Sequence, residues 1–270
     1  MTASHAVLHG DCLGLGGMSL LRSSSVDHAI TDPPYTPHTH DQQRIRWTAR
    51  GDVPGGITRP AELSRSKDLG FEPIDNELRA RVAAELARVV RRWVLVFTDD
   101  SGMQPWIDAL EGADLQFVRS LVWIKIGCAP QFTGDRPANG YELIVVAHQT
   151  KPDGKPMKKR WNAGGKRGVY VHPIVLNRGG HDDRVHTTQK PEALLEEFVR
   201  DFTDPGEVIL DPFLGSGTTL VAAKRFNRGG IGWEMQEHYA EVARRRIADV
   251  IQDQRVTYSR GKQTQTELAL

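Results

Sequence analysis

The stretch VILDPFLGSGTTLVAAKRF at residues 208–226 constrains the fold more than any other. An apolar run ends at Asp211, a loop carrying Gly215 and Gly217 follows, and a helical pattern begins at about Thr218. Glycines at such a turn let backbone N–H groups and a helix N-terminus approach a ligand closely. The next strand ends at Glu234 in GGIGWEM, where a carboxylate can accept hydrogen bonds from both ribose hydroxyls of a nucleoside. No Gly-Lys-Thr or Gly-Lys-Ser follows, and the full dinucleotide fingerprint is missing, so a nucleoside without a pyrophosphate fits best. A generic strand–turn–helix punctuated by glycine is the bland alternative.

The rest of the chain repeats this alternation. Apolar segments at Val26–Thr31, Trp93–Phe97, Leu121–Ile126, Glu142–Ala147, Glu207–Leu210 and Gly230–Trp233 read as buried strands. Asp75 is placed to cap a helix whose apolar stripe is Leu78, Val82, Leu86, Val89 and Val90. Glu192–Phe202, with Leu194, Leu195, Phe198, Val199 and Phe202 facing inward, Thr218–Phe226 and His238–Ile251 read as further helices. The pattern predicts an α/β fold with a Rossmann-like, doubly wound, mostly parallel sheet covered on both faces. Residues 36–75 read as a long loop region, 151–185 turn basic and Gly-rich, and the tail after Val256 is polar.

Composition narrows the function classes. The 270 residues are 39% hydrophobic and 26% charged, enough for one sizeable α/β domain, or for one domain carrying a small insertion. No apolar run nears the roughly 20 residues needed to span a bilayer, and the start MTASHAVLHGD is no secretory signal, which makes the cytoplasm the default location. Cys12 and Cys128 cannot build a multi-bridge framework and lack zinc-ligand spacing, and no metal site is expected. With a formal net charge of only +1, any nucleic-acid surface must be local.

Asp32-Pro33-Pro34-Tyr35 directly follows the first of the apolar strands. Two prolines fix φ and remove two N–H donors, leaving rigid carbonyl acceptors. An ionised Asp carboxylate is also acceptor-only, and the tyrosine ring offers a stacking face. These groups suit an exocyclic amino group on a flat ring. Its lone pair is delocalised, and accepting its hydrogens at Asp32 and the Pro33 carbonyl would push the nitrogen towards sp³ geometry. A base inside a duplex must be flipped out to reach such a site. The bland alternative is a rigid proline turn with a surface tyrosine.

With DPPY at 32–35 and DPFLGSG at 211–217, the chain resembles the DNA amino-methyltransferases, over about residues 8–250. The catalytic motif precedes the cofactor motif, similar to the beta-type permuted group, which includes restriction-associated and solitary enzymes. Gly10-Asp11-Cys12 resembles the N-terminal motif whose Asp contacts the cofactor adenine. His186-Thr187-Thr188-Gln189-Lys190-Pro191 resembles the motif that helps hold the methionine part. Trp123-Ile124-Lys125 and Glu142 sit where the family has a W-x-K strand and a following glutamate.

The resemblance implies a circularly permuted class I methyltransferase fold. Residues 1–150 would form its catalytic half, 151–185 a target-recognition insert, 186–255 the cofactor-binding half and 256–270 a polar tail. It implies S-adenosylmethionine as cofactor, with Asp32, Pro33, Pro34 and Tyr35 catalytic. Cofactor contacts would come from Asp11, Cys12, Asp32, Thr188, Lys190, Asp211, Pro212, Phe213, Gly215, Ser216, Gly217, Thr218 and Glu234. DPPY rather than SPPY favours the N6 amino group of adenine in double-stranded DNA, reached by base flipping and in-line attack. The alternatives are an N4-cytosine enzyme, an enzyme acting on RNA or a protein amide, and a catalytically silent DNA-binding subunit.

The recognition segment contains Lys151, Lys155, Lys158, Lys159, Arg160, Lys166 and Arg167 against Asp153, a cluster able to grip phosphates. Trp161 is placed to stack on or wedge against a base. A solvated basic loop is the bland reading of this segment. Arg44, Arg46, Trp47 and Arg50 form a second candidate contact. So small a recognition region favours a short target or help from a homodimer partner. His172, His181 and His186 show no ligand pattern.

Overall fold

The computed structural model describes residues 4–35, 74–128, 130, 137–150, 158–175 and 189–251. Their elements run β1 (His5–His9), a 3-10 turn (Met18–Leu20), β2 (His28–Thr31), α1 (Asn76–Val89), β3 (Trp93–Thr98), α2 (Asp100–Gly112), β4 (Leu115–Ile126) and β5 (Tyr141–Gln149). Then follow β6 (Val169–Pro173), α3 (Glu192–Phe202), β7 (Val208–Asp211), α4 (Thr218–Arg225), β8 (Gly229–Glu234) and α5 (Glu237–Asp249).

The strands form one sheet in the order β1-β8-β7-β2-β3-β5-β4-β6. Every pairing is parallel except the two made by β5. From β7 the chain crosses over α4 to β8 on one side, and from β2 it crosses over α1 to β3 on the other. The adjacent pair β7 and β2 is therefore the switch point, and in doubly wound sheets ligands bind in the crevice beyond the strands' carboxyl ends there.

The central strands are apolar at nearly every position because both faces are covered. Ala29, Val94, Val96, Val145 and Leu210 point into one core with Val82, Leu86 and Val89 of α1 and Trp106 and Leu110 of α2. Their alternate neighbours Ile30, Leu95, Phe97, Ile144 and Ile209 point into a second core with Leu194, Leu195, Phe198 and Val199 of α3 and Ala222 of α4. A one-residue register slip in any of these strands would exchange the two sets. Helix α1 starts where expected, with Asp75 Oδ1 accepting from the Leu78 N–H at 2.7 Å. No described helix is long and apolar enough to cross a membrane.

Several elements depart from the sequence reading. Helix α2 contains Pro105, which argues against a helix, yet Asp99 caps it by accepting from the Gly102 N–H at 2.6 Å. Strand β2 is shorter than Val26–Thr31, because Val26 makes only an isolated bridge to Val90. Strand β4 runs on past a bulge at Phe117/Arg119 as far back as Leu115. Within 151–185 lies β6, which pairs with β4 from Val122↔Val169 to Ile126↔Pro173 and makes one border of the sheet.

The end of the sheet opposite the crevice holds buried titratable groups. His28 Nε2–H donates to Glu207 Oε2 at 2.8 Å, and Arg92 pairs with the other oxygen of Glu207. Despite its burial, the His28 bond, the Asp204 N–H and the charges of His28 and Arg92 pull Glu207 down to about 2. Burial lowers His28, and lowers His148 from 6.5 to about 4. An unfolded chain binds protons at these histidines below about pH 6.5, whereas the folded chain keeps His148 neutral until about pH 4. Stability therefore falls as pH drops through that window, and Glu207 extends the loss from 4.5 towards 2. The His148 share should be about 2 kcal/mol between pH 7 and pH 4.5. Urea unfolding of wild type and His148→Gln across this range checks it: the variant's stability should fall less steeply, and parallel curves would exclude His148 as the source.

Candidate active site

Helix α4 begins at Thr218 with Gly217 as its N-cap, at φ 85°. Both Gly215 (φ 53°) and Gly217 lie in the left-handed region that glycine enters without strain. A Cβ on Gly217 would sit 2.8 Å from the Cβ of Ala243 on α5, so glycine is also needed there for the close approach of that helix. The loop closes through Leu214 N–H to Trp233 O (2.8 Å) and Gly217 N–H to Leu214 O (2.9 Å).

At the end of β8, Glu234 receives the Gly215 N–H on Oε2 (2.9 Å) and the Gln236 N–H on Oε1 (2.8 Å). Burial raises its pKa against the pull of these two donors. The carboxylate is thereby fixed beside the glycine loop, with lone pairs left on both oxygens for hydroxyl donors. Across β1, the Gly10 N–H bonds Glu234 O at 2.9 Å, which sets Asp11 beside it. Asp11 is exposed, and its Oδ1 accepts from the Leu13 N–H at 2.9 Å.

Asp211 and Thr31 join the two halves. Thr31 Oγ1 donates to Asp211 Oδ1 at 2.8 Å, across the β7–β2 pair. The same oxygen accepts from the Phe213 N–H at 3.2 Å, and Thr219 supplies a further hydrogen bond. Burial outweighs these donors and pushes Asp211 up to about 7.

One residue beyond Thr31, Asp32 enters a cluster of four charges. Lys190 Nζ lies 2.5 Å from Asp32 Oδ2 and 3.2 Å from Glu142 Oε2, while Lys125 Nζ lies 2.9 Å from Glu142 Oε1. The Tyr35 hydroxyl donates to Glu142 Oε2 at 2.6 Å. The Lys190 ammonium stands 5.2 Å from the ring centroids of Tyr35 and Phe97. Burial raises Asp32, opposed mainly by Lys190, whereas the two lysines hold Glu142 below its usual range. Among the described residues Asp32 Oδ1 is buried and has no hydrogen-bond partner.

The crevice thus gathers Asp11, the 32–35 tetrad, Lys190, the loop 211–218 and Glu234 at one end of the sheet. Thr188 lies outside the described residues, as do Lys151, Lys155, the 36–70 segment with Arg44, Arg46, Trp47 and Arg50, and the polar tail. At four of the expected positions the structure shows what the side chain touches. The Cys12 side chain is packed in the core and its thiol is pushed up to about 12 by burial. Ser216 and Thr218 are buried and both hydroxyls face Arg246 of α5, at 2.9 and 3.2 Å. Trp161 is half-buried: it packs edge-on against Phe202 with centroids 4.8 Å apart, and its indole N–H donates to Gly164 O at 2.7 Å, so one face of the ring rests on the core.

The basic segment is likewise tied down. Lys159 bonds Gln116, Arg160 pairs with Asp204, and Lys166 bridges Glu197 and Asp201. Lys158 and Arg167 are exposed. Arg246 and Thr31 were not legible as site residues. Arg246 is one of three consecutive arginines on a polar helix, and Thr31 is marked only by its place before Asp32.

A doubly wound sheet with a nucleoside-sized loop on one side of the switch point and an acceptor-lined cluster on the other defines a group-transfer enzyme. A DNA methylase family model, covering N6 and N4 methylation, matches residues 26–245, and the chain belongs to that family. The type II methyltransferase M.HinfI of Haemophilus influenzae is 26% identical over 259 residues, 91% of this chain and 69% of that protein. M2.DpnII of Streptococcus pneumoniae is 32% identical over 154 residues, 52% of this chain and 54% of that protein. Among solved structures, a complex of M1.HpyAVI with SAM superposes with a TM-score of 0.63 at 23% identity, covering 90% of this chain and 98% of that one. PvuII DNA methyltransferase, named as cytosine-N4-specific, gives 0.64 at 14%, covering 91% and 87%. Both share the class I methyltransferase fold with this chain.

Gly217→Ala should cost about 1–3 kcal/mol, from the left-handed backbone together with the Ala243 contact. Denaturant unfolding measures it, and an unchanged midpoint would mean that α5 does not close on the loop as described.

Proposed function

We propose that this DNA methyltransferase uses S-adenosylmethionine to methylate the N6 amino group of adenine at a specific sequence in double-stranded DNA, in the cytoplasm. The carrying observation is Asp32 Oδ1, a buried acceptor with no partner among the described residues, beside Tyr35 at the switch point. Asp32 Oδ2 and both Glu142 oxygens are already engaged by Lys190, Lys125 and Tyr35, so Oδ1 is the carboxylate oxygen of this cluster open to an incoming N–H donor.

The cofactor side fits the same reading. Gly217 leaves no room for a side chain between the loop and α5, and Glu234 and Asp11 stand at adjacent strand ends as acceptors for ribose and adenine. S-adenosylmethionine, the ligand of the M1.HpyAVI complex, supplies an electrophilic methyl group when bound.

Asp32 Oδ1 and the Pro33 carbonyl would accept the two amino hydrogens of a flipped base, and Tyr35 would stack on its ring. The target nitrogen gains the methyl and loses one proton, which Asp32 is placed to receive. A carboxylate at position 32 supports adenine over cytosine. Both curated relatives are named type II methyltransferases, which supports a place in a restriction–modification pair.

Asp32→Ala should abolish methyl transfer while S-adenosylmethionine still binds, as read by labelled transfer to mixed-sequence duplex and by calorimetry. Retained turnover would remove Asp32 from the mechanism. Nucleoside analysis of the wild-type product should show N6-methyladenine, and N4-methylcytosine would overturn the base assignment alone.

For DNA affinity, the exposed Lys158 and Arg167 are the expected phosphate contacts of the basic segment. Neutralising both should reduce the slope of log Kd against log salt by about 2. Lys166→Gln should instead lower stability with little change of slope. An unchanged slope in the double variant would move the phosphate contact to another surface.

A further inference from the structure

The family resemblance links Lys190 to the methionine part of the cofactor, but its geometry points to the other side of the crevice. The residue precedes α3 and is 8% exposed, and its ammonium is held between Asp32 Oδ2 and Glu142 Oε2 under the Tyr35 and Phe97 rings. We propose that Lys190 is a positioning residue for the target amino group: by occupying Asp32 Oδ2 it turns Oδ1 to the base and keeps that carboxylate ionised. The inference rests on the amino-methyl transfer reading above.

The argument is one of charge and lone pairs. An ionised carboxylate in a dry site costs several kcal/mol unless a partner balances it. Here Asp32 and Glu142 are matched by Lys190 and Lys125, and the cluster is neutral. Asp32 faces Lys190 from the start of α3, Glu142 and through it Lys125 from β5 and β4, Tyr35 from its own strand end, and Asp211 from β7. Among the described residues Lys190 is the one cation that touches it. Without Lys190 the cluster holds Asp32 and Glu142 against Lys125 alone, and proton uptake by Asp32 relieves the imbalance. A protonated Asp32 carries a donor of its own and accepts an amino N–H less well.

A second consequence concerns which oxygen is presented. With Oδ2 bound to the ammonium, rotation of the carboxyl group is blocked. Glu142 is held in turn by Lys125 and the Tyr35 hydroxyl, so the stacking ring and the acceptor are located by the same network. Lys190 thus acts on the reaction through Asp32.

The test uses the full-length enzyme, tritiated S-adenosylmethionine and unmethylated mixed-sequence duplex DNA, with single-turnover rates from pH 5.5 to 9.5 at saturating cofactor. Lys190→Met should leave the S-adenosylmethionine Kd within about threefold. Its acid limb should move up by about 1–3 pH units, so that activity lost at neutral pH returns in alkali. Lys190→Arg should restore part of the wild-type limb. Glu142→Gln, which removes a negative charge beside Asp32, should move the limb the opposite way, and this arm decides the matter if the methionine variant fails to fold.

A rate lowered equally at every pH would reduce Lys190 to a packing role. A large loss of cofactor affinity with an unmoved limb would return it to the methionine moiety. Either result, with a normal methylated nucleoside from the wild type, overturns this inference alone. Absence of any labelled nucleoside from the wild type would overturn the parent reading and this inference together.

Discussion

The hydrogen bond from Thr31 to Asp211 is the joint on which the site depends. It crosses from the strand that ends in the acceptor tetrad to the strand that ends in the glycine loop. Both residues are nearly inaccessible to water, so the bond is not traded for solvent, and leaving either group unpaired would cost about 1–3 kcal/mol. Because the Asp211 carboxyl also holds the first turn of the loop, a shift of one strand end moves the other. The separation between the glycine loop and the acceptor tetrad is thus set by the register of two adjacent parallel strands, which is among the stiffest elements a sheet contains.

Around that joint the protein places charges where an apolar core would be more stable. Four ionic groups are linked in a chain from Lys125 through Glu142 and Lys190 to Asp32, two of them on strands, one just past the end of β2 and one on the approach to α3. Replacing such clusters by hydrophobic groups is often neutral or stabilising, so their presence is better explained by chemistry than by fold. The same contrast separates Asp32 from Asp211: burial raises both, but one meets an ammonium and the other only neutral donors.

Much of this was legible in the chain. Strands buried on both faces have no alternation to misread, so β3, β5 and β7 stood out, as did α3 and the loop before α4. The Asp75 cap was visible because capping is a local matter of one side chain and one turn. What lay hidden depends on tertiary context. Helix α2 is masked by Pro105. Strand β6 is a short run inside a basic, Gly-rich segment whose β character comes from pairing with β4. The basic residues there looked like a phosphate grip, but Lys166 and Arg160 face acids on and just after α3, and no spacing rule in the sequence brings residue 166 to residue 201. In the same way Lys190 was visible as part of a motif, but its partner at Asp32 was not.

The strand at one border of the sheet, β1, is the first described element, and its neighbour β8 is the last described strand, with His5 facing Gly230. During synthesis β1 must therefore wait on the order of tens of seconds for the strand it pairs with. The half bearing the acceptor tetrad can assemble β2, β3, β4 and β5 in the meantime. The side of the sheet that carries the glycine loop closes only when β7 and β8 arrive. A nascent chain that stops short of β8 would leave β1 unpaired and the glycine loop without Glu234, so the crevice cannot form until that strand has been made.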